Sequence, residues 1–348
     1  MEAYIELLRS MIQTPSFSRE EGPVALLVRN FLTSKRIAFH EKGWNTWARN
    51  KFWDDKKPVI LLNSHIDTVK PVKNWTKDPF SAEVDGDVLI GLGSNDAGAS
   101  LVTLMAVFVH FYQEENLPYN LIFAASAEEE ISGNGGMVSL VEEFGDVKLA
   151  IVGEPTQMQM AIAEKGLMVL DCTAHGRAGH AARNEGENAL YKAVDDINIL
   201  RQYKFEKVSD VLGEVKLSVT QINAGYQHNV VPDNCTFVVD VRTNEFYSNQ
   251  EACDEIQGLI QSEVVARSFK LNSSGIPVTH PIVQRGIALG LSYYGSPTTS
   301  DQAVMPFPSI KIGPGDSARS HTADEYILVS EIENGFEVYC SLLEKLEI

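Results

Sequence analysis

Three times in the first half of this chain, a short and continuously apolar run ends and a metal-type ligand follows at once. PVILLNSHIDTV leads to His65 and Asp67, LIFAASAEEE to Glu128, Glu129 and Glu130, and LAIVGEPT to Glu154. Runs that are apolar at every position, rather than at every second one, read as strands buried on both faces, the pattern of a parallel sheet covered by helices. In open α/β sheets, ligands bind beyond the carboxyl ends of the strands. The repeated grammar therefore predicts one α/β domain whose ligand-bearing turns converge at a single sheet edge.

The rest of the chain fills in around that sheet. Helices are expected over 3–13 and 20–35, separated by the Thr14-Pro15-Ser16 break. DAGASLVTLMAVFVHFY, which begins at Asp96, reads as an apolar helix packed on the sheet. From 166 to 273 the character changes. The order strand 167–174, helix 188–202, strand 215–222, strand 236–241, helix 250–266, strand 268–271 is a βαββαβ pattern and predicts a compact ferredoxin-like insert. A helix over 281–293, a strand over 310–312 and a helix over 329–346 then complete the first domain. The expected organisation is one domain of 1–165 and 274–348 interrupted by a second of 166–273. A length of 348 residues leaves room for both cores.

Two further segments carry ligand types: GLGSNDAG with Asp96, and GPGDSARSHTADE with His321. The candidate set is then His65, Asp96, Glu130, Glu154 and His321. Imidazoles and carboxylates without a thiolate suit zinc, cobalt or manganese in a catalytic site. His65 and Asp67 form an H-x-D pair on one side of an extended segment. Either can bind a cation while the other supports it; an ordinary polar loop is the competing reading. Asp96 can bridge two cations, or Asn95 or Asp96 can simply cap the following helix. Three consecutive acids after a buried strand are costly unless cations neutralise them. One of them is expected to bind metal and a neighbour to serve as general base. His321 follows a Gly-Pro-Gly turn, and Thr322 to Glu325 reads as a helix start that holds it on a loop.

Composition narrows the partners. A formal charge of −18 argues against nucleic acid or an anionic membrane as partner, since both require a basic face. No apolar run approaches the roughly 20 residues that span a bilayer. MEAYIELLRSMIQ lacks the order of a signal peptide. Cys172, Cys235, Cys253 and Cys340 form no CxxC pair and fit a reducing compartment. A cytoplasmic location is the expectation.

The ordered set of motifs resembles the dinuclear zinc metallopeptidase family that includes acetylornithine deacetylase, succinyl-diaminopimelate desuccinylase, aminoacylase and glutamate carboxypeptidase. The resemblance runs over nearly the whole chain and implies a zinc-exopeptidase-like catalytic domain, a mixed sheet flanked by helices, with an inserted lid and dimerisation domain. It implies two divalent ions, zinc or cobalt: His65 and Glu154 on one, Glu130 and His321 on the other, Asp96 bridging, and Asp67 orienting His65. The family form of the acidic segment is Asp-Glu-Glu, so Glu128 stands in the place of the Asp, and the base falls on Glu129 and the ligand on Glu130. HGRAGHAARNEGENAL is similar to the family's lid motif, whose His reaches the partner subunit's site; this carries over to His180 as an oxyanion donor. QINAGYQHNVVPDNCTFVVDVR implies Asn229 and Arg242 as substrate contacts, Arg242 being suited to a carboxylate, and Gly315 is a third such contact. The family's Asp-x-Lys-Gly-Gly turn here reads Asp96-Ala97-Gly98-Ala99-Ser100. No ligand is lost, the Lys is absent, and the peptide after Asp96 is expected to be cis, as is often so in the family.

What the resemblance implies is a homodimeric hydrolase of N-acyl amino acids, most similar in motif wording to acetylornithine deacetylase of arginine biosynthesis. The acyl group is acetyl or succinyl, and the amino acid ornithine or citrulline. Succinyl-diaminopimelate desuccinylase and a small dipeptidase or exopeptidase are alternatives on the same site. A metal-bound protein without turnover is disfavoured by the intact acidic triplet.

Overall fold

A computed structural model describes residues 1–183 and 185–348. The chain divides into two compact units: Met1–Ile162 with Gly275–Tyr294 and Ser300–Ile348, and Ala163–Ser274 with Gly295–Thr299. The second therefore includes a short return segment after residue 294 that the sequence reading assigns to the first.

The first unit is built on a mixed sheet. Its strands run in the order His40–Lys42, Asn45–Arg49, Asn120–Ser126, Val59–His65, Val147–Val152, Ser309–Lys311, Met160–Glu164, with the short strands Ser274–Gly275 and Tyr293–Ser296 paired to the last. The four from Asn120–Ser126 to Ser309–Lys311 are mutually parallel, and the flanking ones antiparallel. Every residue of Val59–His65 and of Asn120–Ser126 is buried, as expected of strands covered on both faces. On one face lies Ala99–Phe111, buried along nearly its whole length, with Glu2–Ile12 and Val329–Leu343 packed against it. The other face carries Trp47, Leu61, Ile122 and Val152 against Leu140 and Phe144 of the helix Met137–Phe144. His65 pairs with Ser126 in parallel register, so the two strands end level. Their following turns, one carrying Asp67 and the other the acidic triplet, leave the sheet side by side.

The second unit has a four-stranded antiparallel sheet in the order Lys216–Ala224, Asn234–Arg242, Met168–His175, Glu263–Ala266. Numbered along the chain this is 2-3-1-4, and with the helices Ala189–Gln202 and Asn249–Leu259 it is a ferredoxin-like βαββαβ arrangement. Met168–His175 alternates strictly between buried and less buried positions, so one face carries the core, formed by Leu170, Cys172, Phe237 and Val239 with Ala193 and Ile256 of the helices. Asn188 caps the first helix, and Ser248 with Glu251 forms a capping box on the second. The four cysteines are free thiols. Among the described residues, no helix is long and apolar enough to cross a membrane.

Three expectations are corrected. The helix expected over 250–266 ends at Leu259, and the last strand is Glu263–Ala266 rather than 268–271. The carboxylate of Asp196 accepts the N–H groups of Gln261 and Ser262 at 3.1 and 2.8 Å, turning the chain out of the helix there. The helix expected over 281–293 stops at Ala288. Gly290 takes a left-handed φ of 86°, and the N–H groups of Gly290 and Leu291 donate to Ile287 and Gly286, a Schellman ending. Thr322 to Glu325 starts no helix; the strand Tyr326–Leu328 follows, and the last helix spans Val329–Leu343.

Candidate metal centre

His65 is the last residue of its strand and 1 % exposed. Its Nδ1 lies 2.9 Å from the Asp67 carbonyl and 3.4 Å from the Asp67 carboxylate. Held to that carbonyl through Nδ1, the ring turns Nε2 inward, where it can bind a cation once it gives up its proton. Nε2 is 3.3 Å from Asp96 Oδ1 and 3.7 Å from Glu154 Oε1. On the other side, His321 Nε2 is 3.1 Å from Glu130 Oε2 and 3.6 Å from Asp96 Oδ2. Asp96 thus turns one carboxylate oxygen to each imidazole. Ligand atoms of His65, Asp96 and Glu130 lie within 4.8 Å of one another.

The acidic triplet separates into three directions. Glu128 has a left-handed φ of 54°, and its carboxylate folds over Gly133 and Gly135; a Cβ at Gly133 would stand 1.8 Å from Glu128 Oε2. Its N–H donates to buried Glu21 at 3.0 Å. The N–H groups of Glu129 and Glu130 donate to the two oxygens of Asp67, which also accepts from Ser18. Asp67 therefore ties the His65 turn to the triplet. Glu130 points at His321, while Glu129 lies among His65, Glu154, Asp301 and Glu130.

The electrostatics are those of an acid-rich pocket. Burial raises the Glu129 carboxyl well above its ordinary range, and Glu154, Asp301 and Glu130 push it further. Burial, with Asp96 adding, brings Glu154 up to about 8. Burial alone pulls the His65 imidazole down, but its bonds to Asp67 and Asp96 outweigh that and raise it. The Glu130 carboxylate beside His321 brings that imidazole up to about 9. Without cations such a cluster must hold protons to lower its own repulsion; divalent cations remove the same repulsion by displacing them. Oxygen and imidazole donors of this kind fit zinc, cobalt or manganese.

Two buried acids that the sequence reading passed over complete the surroundings. Asp301 accepts from Ser126 Oγ at 2.6 Å, and burial raises its carboxyl to about 6. Glu325 accepts the N–H groups of Gly93, Asn95 and Asp96 at 3.0, 2.9 and 2.9 Å. Burial, with Asp96 adding, pushes its carboxyl up to about 8 against those three bonds. The peptide between Asp96 and Ala97 is cis.

The expected substrate contacts are scattered. Gly315 has a φ of 90°, and a Cβ there would stand 2.3 Å from Asn95 Oδ1, so close packing already accounts for the glycine. His180, Asn229 and Arg242 belong to the second unit. Gly179–His180 pairs with Val230–Val231, and Ala181 N–H donates to the Asn229 carbonyl, bringing His180 and Asn229 together on one exposed ladder. Arg242 is occupied by Asp240, with bonds of 2.8 and 3.1 Å.

Residues 61–345 match the profile of peptidase family M20/M25/M40. A succinyl-diaminopimelate desuccinylase of Ruegeria is 25% identical over 290 residues, covering 77% of this chain and 74% of that protein. A putative succinyl-diaminopimelate desuccinylase of Mycobacterium tuberculosis is 27% identical over 346 residues, covering 94% of each. Among solved structures, the aminopeptidase PepT of Bacillus cereus superposes with a TM-score of 0.79 at 16% identity, covering 99% of this chain and 98% of that one. A dinuclear metal-binding M20 peptidase of Bacillus subtilis gives 0.75 at 17% identity, with 99% of each chain covered. The chain belongs to peptidase family M20/M25/M40 and is a metal-dependent hydrolase of that family.

Proposed function

We propose that this chain hydrolyses the amide of an N-acyl amino acid with a pair of divalent cations, zinc or cobalt, held by His65, Asp96, Glu130, Glu154 and His321. The observation that carries the reading is the meeting of His65, Asp96, Glu130 and His321 around one point, with half-buried Glu129 beside them. His65 and Glu154 serve one cation, Glu130 and His321 the other, and Asp96 both. When bound, the cations polarise the scissile carbonyl and acidify water. Glu129 takes a proton from the attacking water as its oxygen bonds to the carbonyl carbon, then delivers that proton to the departing nitrogen as the C–N bond breaks. The products are a carboxylate and a free amine. Asp67 holds His65 and the Glu129–Glu130 turn in register. His180, contributed by the second copy in a homodimer, donates to the oxyanion, and Asn229, Arg242 and Gly315 contact the substrate.

For the substrate, motif wording favours N-acetyl- or N-succinyl-ornithine or -citrulline, placing the enzyme in arginine biosynthesis. The names of the Ruegeria and Mycobacterium relatives favour N-succinyl-diaminopimelate as the second reading. Turnover of N-acetyl and N-succinyl forms of ornithine, citrulline and diaminopimelate, with zinc or cobalt added, separates the two. Hydrolysis of unacylated dipeptides with negligible activity on all six would overturn both.

A further inference from the structure

Glu325 is 2 % exposed, and its carboxylate bonds three backbone N–H groups. Those groups belong to the Gly93–Asp96 turn, whose conformation is far from helical: Gly93 has a φ of 74°, and Asp96 sits at φ −117° and ψ 98°. Within the turn the N–H groups of Ser94 and Gly98 donate to the carbonyls of Gly91 and Gly93 at 3.1 and 3.0 Å, which leaves those of Gly93, Asn95 and Asp96 to find an acceptor outside it. The acceptor comes instead from a segment about 230 residues away in sequence. Backbone pairing sets its position. Tyr326 lies opposite Ile90 in an antiparallel ladder, and the N–H of Gly91 donates to the Glu325 carbonyl at 2.9 Å. The side chain is thereby laid over the next turn of its partner.

We infer that Glu325 is a positioning residue for the metal centre: it fixes the backbone that aims the Asp96 carboxylate, and it ties that backbone to the short segment bearing His321. The inference rests on reading Asp96 and His321 as ligands. His321 stands four residues before Glu325 and 3.6 Å from Asp96 Oδ2. One segment therefore presents an imidazole to Asp96 and holds Asp96 in place. The geometry asks for a carboxylate. Oε1 takes two N–H groups and Oε2 the third. An amide would offer one oxygen and turn an NH2 toward a remaining N–H, and an aspartate would fall one methylene short.

The test compares wild-type protein, Glu325→Gln and Asp324→Asn, each stripped by chelation and titrated with zinc in the presence of a competing chelator. Asp324 supplies a control of fold integrity: its exposed carboxylate holds Thr76 and Lys77 rather than the Asp96 turn. Wild type and Asp324→Asn are expected to take two zinc ions per chain with matching affinities. Glu325→Gln is expected to bind at least one of them about 10- to 100-fold more weakly and to show an altered visible spectrum when loaded with cobalt. Wild-type affinity and spectrum in Glu325→Gln would overturn the inference, and so would an equal loss in Asp324→Asn. A wild type that binds fewer than two zinc ions would overturn the two-metal reading itself. Should Glu325→Gln fail to fold, amide exchange in metal-free wild type decides. Slow exchange at Gly93, Asn95 and Asp96 supports the clamp, and exchange as fast as at exposed Lys73 and Asn74 removes it.

Discussion

The two units put their buried polar residues to different use. In the first, His65, Asp67 and Glu325 are almost fully buried, and Asp67 alone bonds Ser18, Glu129 and Glu130. In the second, the buried polar residues Asp196, Asn244 and Asn249 bond backbone groups and fix loops and helix ends, while the candidate site residues lie outside its core: His180 and Asn229 are exposed, and Arg242 pairs with its neighbour Asp240. A buried polar network is stable only when its members satisfy one another, and in the first unit that demand also organises the candidate metal site. An exposed residue on an independent core is free to serve a ligand that comes from elsewhere. The comparison teaches that the first unit can be read as chemistry and the second as presentation.

Removing the cations tests the first half most severely. Chelation is expected to abolish hydrolysis, and zinc or cobalt to restore it; elemental analysis should find two ions per active chain. Because carboxylates must be ionised and imidazoles neutral to bind metal, the ions should leave as pH falls. Full activity with less than one ion per chain would break the comparison. Next in size is Glu129→Ala. With general-base catalysis worth about 10²- to 10⁴-fold, kcat should fall within that range while two ions stay bound. A variant that loses its metal as well would make Glu129 a ligand.

The second unit is tested by His180→Ala, where losing an oxyanion donor should cost about 10²- to 10³-fold in kcat. Mixing this chain with Glu129→Ala sharpens the result. If His180 serves the other copy, a mixed dimer has one site with both defects and one with neither. About half of normal turnover per mixed dimer should then return, whereas no recovery in a mixture shown to exchange subunits removes the partner role. The smallest effect is expected for Asp67→Asn, which keeps the carbonyl bond to His65 and loses charge at the tie. Zinc affinity should drop about 10- to 100-fold with substrate KM unchanged, measured by titration and by steady-state kinetics.

The legibility of the chain follows the range of its interactions. The placement of His65, Glu130 and Glu154 at or just past the ends of buried strands is readable because each strand's apolar run announces it locally. Glu21, Asp301 and Glu325 are not, because their roles exist only through partners distant in sequence: Glu128 for Glu21, Ser126 for Asp301, and the Asp96 turn for Glu325. Glu325 did carry a faint signal as an acid in a segment already singled out, but its position read as a helix start. The misplaced end of the helix at Leu259 has the same origin, since Asp196, which turns the chain there, lies in another helix. Propensity describes neighbours, and these decisions were made by tertiary contacts.

The spread of the candidate ligands along the chain sets an order of assembly. Glu154 and everything before it are synthesised early, yet the His321 side of the pocket and the Glu325 clamp arrive only near the end, as does Ser309–Lys311, which pairs in parallel with Val147–Val152. At ~5–20 residues per second, the ribosome finishes His321 on the order of ten to thirty seconds after Glu154. Throughout that interval the early acids lack their final partners, while the βαββαβ unit emerges with a core of its own and all four strands of its sheet in one continuous stretch. The nascent chain thus matures from the middle outward, and the proposed two-metal site can be completed only by a chain grown past residue 325.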